Sequence, residues 1–331
     1  MGIFYGFVAV VALVLLVIFG VGALGLDTLF AVVIPYAAIA LFLIGFAYRV
    51  FKWAKSPVPY KITTTCGQQK SLPWIKNNKL DCPHSTWAVI GRMALEVLFF
   101  RSLFRNTKSE LKSGPKLVHG DEKYLWLGAL AFHWSFLIVF ARHYRFFTNW
   151  ECSVMTLVNN LDSFFQIGLP MLYMTDLILV GAVTFLFLRR VLSPQLRYIS
   201  LAADYFPLFL IFGIAASGIL MRYFMRVDIV EIKNLAMGLV GFNPAVPEGL
   251  GIIFYIHLFL VSVLFAYFPF SKLMHMPGVF MSPTRNMAND NRARRHINPQ
   301  NPEVKIHTYE EYEDEFRDVM KASGLPLDKE E

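Results

Sequence analysis

Six blocks of apolar residues divide the chain, at about 3–24, 29–50, 124–144, 168–188, 204–224 and 250–270. Each is about 20 residues long with few charges, the length an α-helix needs to cross the hydrocarbon core of a bilayer. The residues between the blocks set their limits. Asp27 lies in a short turn after the first block, and Tyr48, Arg49, Lys52 and Trp53 end the second as interface anchors. Pro35 falls near the start of that helix, where a missing N–H costs least. Arg189 and Arg190 end the fourth block. Asp204 opens the fifth as a predicted N-terminal cap, and Gly213, Ala215, Ala216, Ser217 and Gly218 give that helix a small-residue face for close packing.

The sequence between 53 and 123 reads as a long basic loop. Within it, 87–104 is apolar but interrupted by Arg92, Glu96 and Arg101, and is predicted to lie at the membrane interface or against the bundle. Residues 271–331 form a polar tail whose end, from Tyr309, is acidic and suited to folding on a partner. The predicted architecture is an all-α membrane bundle of six transmembrane helices. An additional helix occupies 1–28, five core helices fall within 29–270, and a tail follows.

Composition supports an integral membrane protein: 56% of residues are hydrophobic and only 17% charged, against a usual charged fraction of about a quarter. Apolar sequence from Gly2 to Leu26 has no basic n-region, so it reads as a retained helix and not a targeting peptide. The net charge of +7 is not a nucleic-acid signature, because its distribution follows the membrane. With six spans, one side receives 26 of the 31 lysines and arginines; the positive-inside rule makes that side, and both termini, cytoplasmic in a multi-pass inner-membrane protein. Three cysteines, Cys66, Cys82 and Cys152, are too few for a disulfide framework and read as thiols.

Histidines carry the candidate chemistry. An imidazole in a lipid-facing helix needs a partner, and four of the eight histidines lie in or beside two such helices. His133 and His143 are about 15 Å apart along one; His257 and His275 are five turns apart along the other. The two helices run antiparallel, so His143 is predicted to meet His257 on the outer side and His133 to meet His275 on the inner side. Each pair can clamp one planar haem through two imidazoles, leaving no open iron position. Pro269 is expected to bend or end the second helix, so that His275 arrives from a loop. Candidates for the haem carboxylates, by depth alone, are Arg142 and Arg145 outside and Arg49, Arg189, Arg190 and Lys272 inside. Asp176, an acid within the fourth block, has two readings: acceptor of a quinol proton near the outer haem, or partner in a helix–helix hydrogen bond.

The two-helix, four-histidine pattern resembles the gamma subunit of respiratory nitrate reductase and membrane subunits of heterodisulfide reductases, over residues from about 30 to 275. LSPQLRYISLAADYFPLFLIFGIAASGILMRYF (192–224) and HLFLVSVLFAYFPFSKLMHMPGVFMSPTRNMANDNRARRHINP (257–299) are similar to the DsrM family. These are cytochrome b subunits of complexes associated with dissimilatory sulfite reductase. That resemblance implies a five-helix dihaem core with two haem b groups, ligated by His143/His257 and His133/His275. It implies oxidation of menaquinol near the outer haem and electron delivery to a cytoplasmic iron–sulfur subunit, DsrK-like and similar to the heterodisulfide reductase catalytic subunit. DsrJ, DsrO and DsrP would complete the complex. The basic stretch 285–295 and the acidic tail are expected docking surfaces. The lysine that helps hold quinol in the nitrate reductase relative has no counterpart outside except Lys233, so Arg142 and Arg145 are the substitutes considered. Related nitrate, hydrogenase or heterodisulfide partners, reverse electron flow, and a non-redox transporter or scaffold are the alternatives.

Overall fold

The computed structural model describes residues 1–56, 68–150, 152–163, 170–292 and 306–329. Cys66 and the end of the basic stretch 285–295 fall outside them. Helix α1 spans Gly2–Gly22, and a π-helical turn, Leu29–Val33, leads into α2, Ile34–Ala54. The loop that follows holds α3 (Thr86–Phe99), α4 (Arg101–Phe104) and an antiparallel hairpin, β1 (Thr107–Lys112) with β2 (Lys116–Asp121). Then come α5 (Lys123–Arg142), α6 (Ser153–Asp162), α7 (Met174–Leu192), α8 (Pro194–Ile199) and α9 (Ala202–Ile219). Next are α10 (Ile229–Val240), α11 (Ile252–Tyr267), α12 (His275–Met281), α13 (Pro283–Asn286) and α14 (Tyr309–Ala322).

Among the described residues, five helical stretches are long and apolar enough to cross a membrane: Gly2–Gly22, Leu29–Ala54, Lys123–Phe146, Ala202–Met225 and Ile252–Phe270. The expected sixth, at 168–188, is represented by α7. It starts later, at Met174, and its 19 residues include Asp176, Arg189 and Arg190, so it falls short of that measure. The hairpin and α10 lie where only loop was expected.

Around the bundle, α5 packs on α7, α7 on α9, α9 on α11 and α11 on α2, while α1 lies against α9 and α11. Small residues permit these approaches. A Cβ on Gly6 would come within 3.1 Å of the Phe206 backbone nitrogen, so α1 and α9 touch nearly backbone to backbone. Gly213 meets the Leu260 side chain of α11, as the small-residue face of α9 suggested. The buried apolar core joins Val10 and Val17 of α1, Phe30 of the π-helical turn, Leu210 of α9, and Tyr255 and Leu260 of α11.

Two features position the His133/His275 pair. The first is the break after α11. Pro269 ends the helix in a 3-10 turn, Ser271 is extended, and a second 3-10 turn delivers His275 as the first residue of α12. The expected bend at Pro269 is therefore present. Gly45 of α2 sits beside it, where a Cβ would be 2.8 Å from the Pro269 ring. The second is a cap made by α3 and α4. Phe100 separates them in the left-handed conformation (φ 50°), so 87–104 is two helices and not one. Trp126 and Trp134 of α5 donate to the carbonyls of Phe99 and Leu98, at 2.7 and 3.0 Å. Asp81 accepts from Arg101 and Arg105, both at 2.5 Å, and Glu96 pairs with Arg285 at 3.4 Å. The charges that interrupt the apolar run are thus bound to the loop before it and to the segment after α12.

Candidate functional site

The four membrane histidines come together in the two pairs expected. The His143 and His257 ring centres are 6.2 Å apart with planes 12° from parallel; those of His133 and His275 are 6.0 Å apart. Such distances are too long for a hydrogen bond between rings. They suit two imidazoles on one metal: two bonds of about 2 Å, plus about 1 Å from each nitrogen to its ring centre, give about 6 Å. Each pair joins a half-buried ring, His133 or His257, to a more exposed one.

All four rings are oriented through Nδ1. In His133 it bonds the Ala129 carbonyl at 2.7 Å, in His143 the Val139 carbonyl at 2.7 Å, and in His275 the Lys272 carbonyl at 2.8 Å. His257 Nδ1 is 2.9 Å from the Ser217 hydroxyl. A carbonyl only accepts, so Nδ1 carries the proton and Nε2 keeps a lone pair. This is the tautomer of an Nε2 metal ligand whose other ring nitrogen is held by a hydrogen bond. Phe100 and Phe132 set edges against His133, with ring centres at 4.9 and 5.0 Å. Gly218 makes room for His257: a Cβ there would lie 3.3 Å from its ring. No cluster of three or more metal-type side chains occurs among the described residues, and bis-imidazole ligation of a haem needs none.

The His143/His257 pair adjoins a buried ionic cluster. Arg142, 8% exposed, pairs with both Asp176 and Asp162, the latter at 3.1 Å. Tyr223 donates to Asp176 at 2.9 Å, and Asp162 accepts from the Thr175 backbone at 2.8 Å and hydroxyl at 2.6 Å. The guanidiniums of Arg142 and Arg222 lie 3.8 and 4.2 Å from the Tyr173 ring centre. Asp176, expected about eight residues in from the outer end of the fourth block, occupies the first turn of α7, because the helix begins at Met174. The reading of Asp176 as a helix–helix partner is met by its bonds to α5 and to Tyr223. Asp162, Tyr173, Arg222 and Tyr223 were not singled out from sequence for this site. They lie in loops or at helix ends, and only their convergence distinguishes them from interface residues.

The remaining cationic candidates have protein partners. Arg145 is exposed, with its charge over the Phe146 ring at 4.8 Å. Arg189 pairs with Glu122 at 3.2 Å, Arg190 donates to Ser200 at 2.8 Å, and Lys272 pairs with Asp204 at 2.5 Å. Asp204, expected to open α9, is instead its third residue; it caps the helix start from within by accepting the Leu201 N–H at 3.0 Å. Outside the membrane helices, His119 bonds Ser109 at 2.9 Å and His84 bonds Asn77 at 3.1 Å.

Comparison with known proteins agrees with this architecture. Residues 84–291 match the family described as the nitrate reductase gamma subunit. The chain is 45% identical over 284 residues to the Hdr-like menaquinol oxidoreductase cytochrome b-like subunit of Archaeoglobus fulgidus, covering 84% of this chain and 85% of that one. It is 43% identical over 282 residues to the protein so described in Archaeoglobus profundus, covering 82% and 83%. The chain belongs to the nitrate reductase gamma subunit family, together with the cytochrome b-like subunits of Hdr-like menaquinol oxidoreductases.

Proposed function

We propose that this chain is the membrane cytochrome b of a menaquinol-oxidising complex, taking electrons from menaquinol near the outer pair and delivering them to a cytoplasmic Hdr-like iron–sulfur subunit. The observation that carries this is the set of two histidine pairs, each about 6 Å between ring centres, with every Nδ1 already engaged. His143/His257 and His133/His275 would each hold one haem b. When bound, haem b supplies a one-electron carrier with no free coordination position.

The protein's own part is orientation. The Nδ1 anchors fix each imidazole, and the Pro269 break and the Phe100 turn fix the inner pair. Arg142 and Asp176 are the residues proposed to meet the quinol, the carboxylate as proton acceptor and the guanidinium holding it in place. Arg145 outside, and Arg189, Arg190 and Lys272 inside, are the proposed cationic partners of the haem carboxylates. Six spans, with 170–192 completing the sixth, put both termini in the cytoplasm of an inner-membrane protein surrounded by lipid. The 26-to-5 division of lysine and arginine supports that orientation. Helix α3 presents Trp87, Ile90, Val97 and Leu98 outward and is proposed to rest in the interface. Within the family, the stretches 192–224 and 257–299 favour the DsrM branch, hence a DsrK-like acceptor with DsrJ, DsrO and DsrP.

The test is a reduced-minus-oxidised spectrum of the purified membrane complex. Two low-spin haem b groups per chain are expected, with one lost in His143→Ala and the other in His275→Ala. Two intact haems in both variants would overturn the ligand assignment. No haem in the unaltered chain would favour a non-redox scaffold.

A further inference from the structure

Three of the four histidines are held by carbonyls of their own chain segment, three or four residues back. His257 is the exception. Its Nδ1 reaches across the helix interface, from α11 to the Ser217 hydroxyl of α9. Ser217 is 4% exposed, and its single hydroxyl proton is committed to a carbonyl of its own helix, Gly213 at 2.8 Å or Ile214 at 3.0 Å. The oxygen is therefore left to accept from His257. The next residue, Gly218, lets the two helices close enough for this bond to form, since any side chain there would press on the imidazole. The Ile214 carbonyl stands nearby as a competing acceptor.

We propose that Ser217 is a positioning residue for the outer haem: its hydroxyl fixes the tautomer and rotation of His257 and sets how strongly that imidazole donates to iron. The inference rests on the haem reading of the outer pair. A hydrogen bond from Nδ1–H raises the basicity of the coordinating nitrogen, and losing such an outer partner costs a metal site about 10–100-fold in affinity or activity. A less basic ligand stabilises the oxidised, more positive iron less, so the reduction potential of that haem rises. Because the bond runs between helices and not to a main-chain carbonyl, a side-chain substitution removes it. None of the other three anchors offers that.

The experiment is a potentiometric titration of the purified membrane complex, followed by optical and low-spin electron-paramagnetic-resonance spectra, for Ser217→Ala and Ser217→Thr. In Ser217→Ala one haem is expected to shift upward in potential, change its low-spin signal and be retained about tenfold less well, while the other is unchanged. Ser217→Thr, which keeps the hydroxyl, restores the unaltered potential. Both haems unchanged in Ser217→Ala, or both displaced alike, would overturn the proposal. A downward shift would overturn it as well, by making the Ile214 carbonyl the operative acceptor. Absence of haem from the unaltered chain would instead defeat the haem reading itself.

Discussion

Asp81 illustrates how single residues hold the α3–α4 cap in place. Its carboxylate is nearly buried, 6% exposed, between Arg101 and Arg105. Burial alone would raise its pKa, but the hydrogen bonds and charges of the two guanidiniums outweigh it and bring the value from 3.8 to about 2. A folded-state pKa below the unfolded one adds stability that is fully present above the unfolded value and lost as pH falls through the folded value. The shift corresponds to about 2 kcal/mol. Thermal unfolding of the unaltered protein and of Asp81→Asn should therefore differ above about pH 4 and converge toward about pH 2. A constant difference across that window would mean that the pair contributes nothing through ionisation. Sequence marked Arg92, Glu96 and Arg101 as interruptions of an apolar run. It did not reveal Asp81 as the counter-charge of Arg101 and Arg105, because those pairings span 20 and 24 residues and the whole of α3.

At the scale of elements, the geometry of the His133/His275 pair depends on α2 and the Pro269 turn fitting together. Proline removes an N–H and clashes with the preceding turn, so the end of α11 near Phe268 was legible in the sequence. Where His275 goes after that break was not, since it depends on what the turn rests against. That support is Gly45, whose hydrogen faces the proline ring and Phe270. Gly45→Val would force the two apart; overpacking of this kind costs about 1–3 kcal/mol. Under the proposed ligation, the haem held by His133 and His275 should be lost at a lower temperature than the one held by His143 and His257, read from the two components of the difference spectrum during heating. Simultaneous loss of both would indicate general unfolding and refute this local role. Phe100 works in a similar way. Its left-handed backbone turns the chain between α3 and α4 and sets its ring against His133, a conformation that non-glycine residues adopt uncommonly.

For the whole molecule, the charge distribution predicts which loops face which side. With 142–167 outside and 53–123 inside, a membrane-impermeant maleimide should label Cys152 in intact cells and reach Cys66 only after permeabilisation. Labelling of Cys66 from outside would reverse the orientation. Sequence by itself determined the apolar helices, because spanning length and hydropathy are local properties. It also determined the four histidines and their pairing, because two antiparallel helices with known spacings leave one way to match the ends. It overestimated the fourth span, since the start of α7 is set by Asp162 capping Thr175 from a separate helix. Tertiary structure alone decided what surrounds the pairs: the Ser217 anchor, the Phe100 turn, and the Arg142, Asp162, Asp176 and Tyr223 cluster. These contacts join residues far apart in the chain, and hydrogen bonds and ion pairs form only where packing brings donor and acceptor within about 3 Å. Periodicity locates a histidine on a helix; the folded backbone, and for His257 the Ser217 hydroxyl of the neighbouring helix, decides which ring nitrogen is engaged.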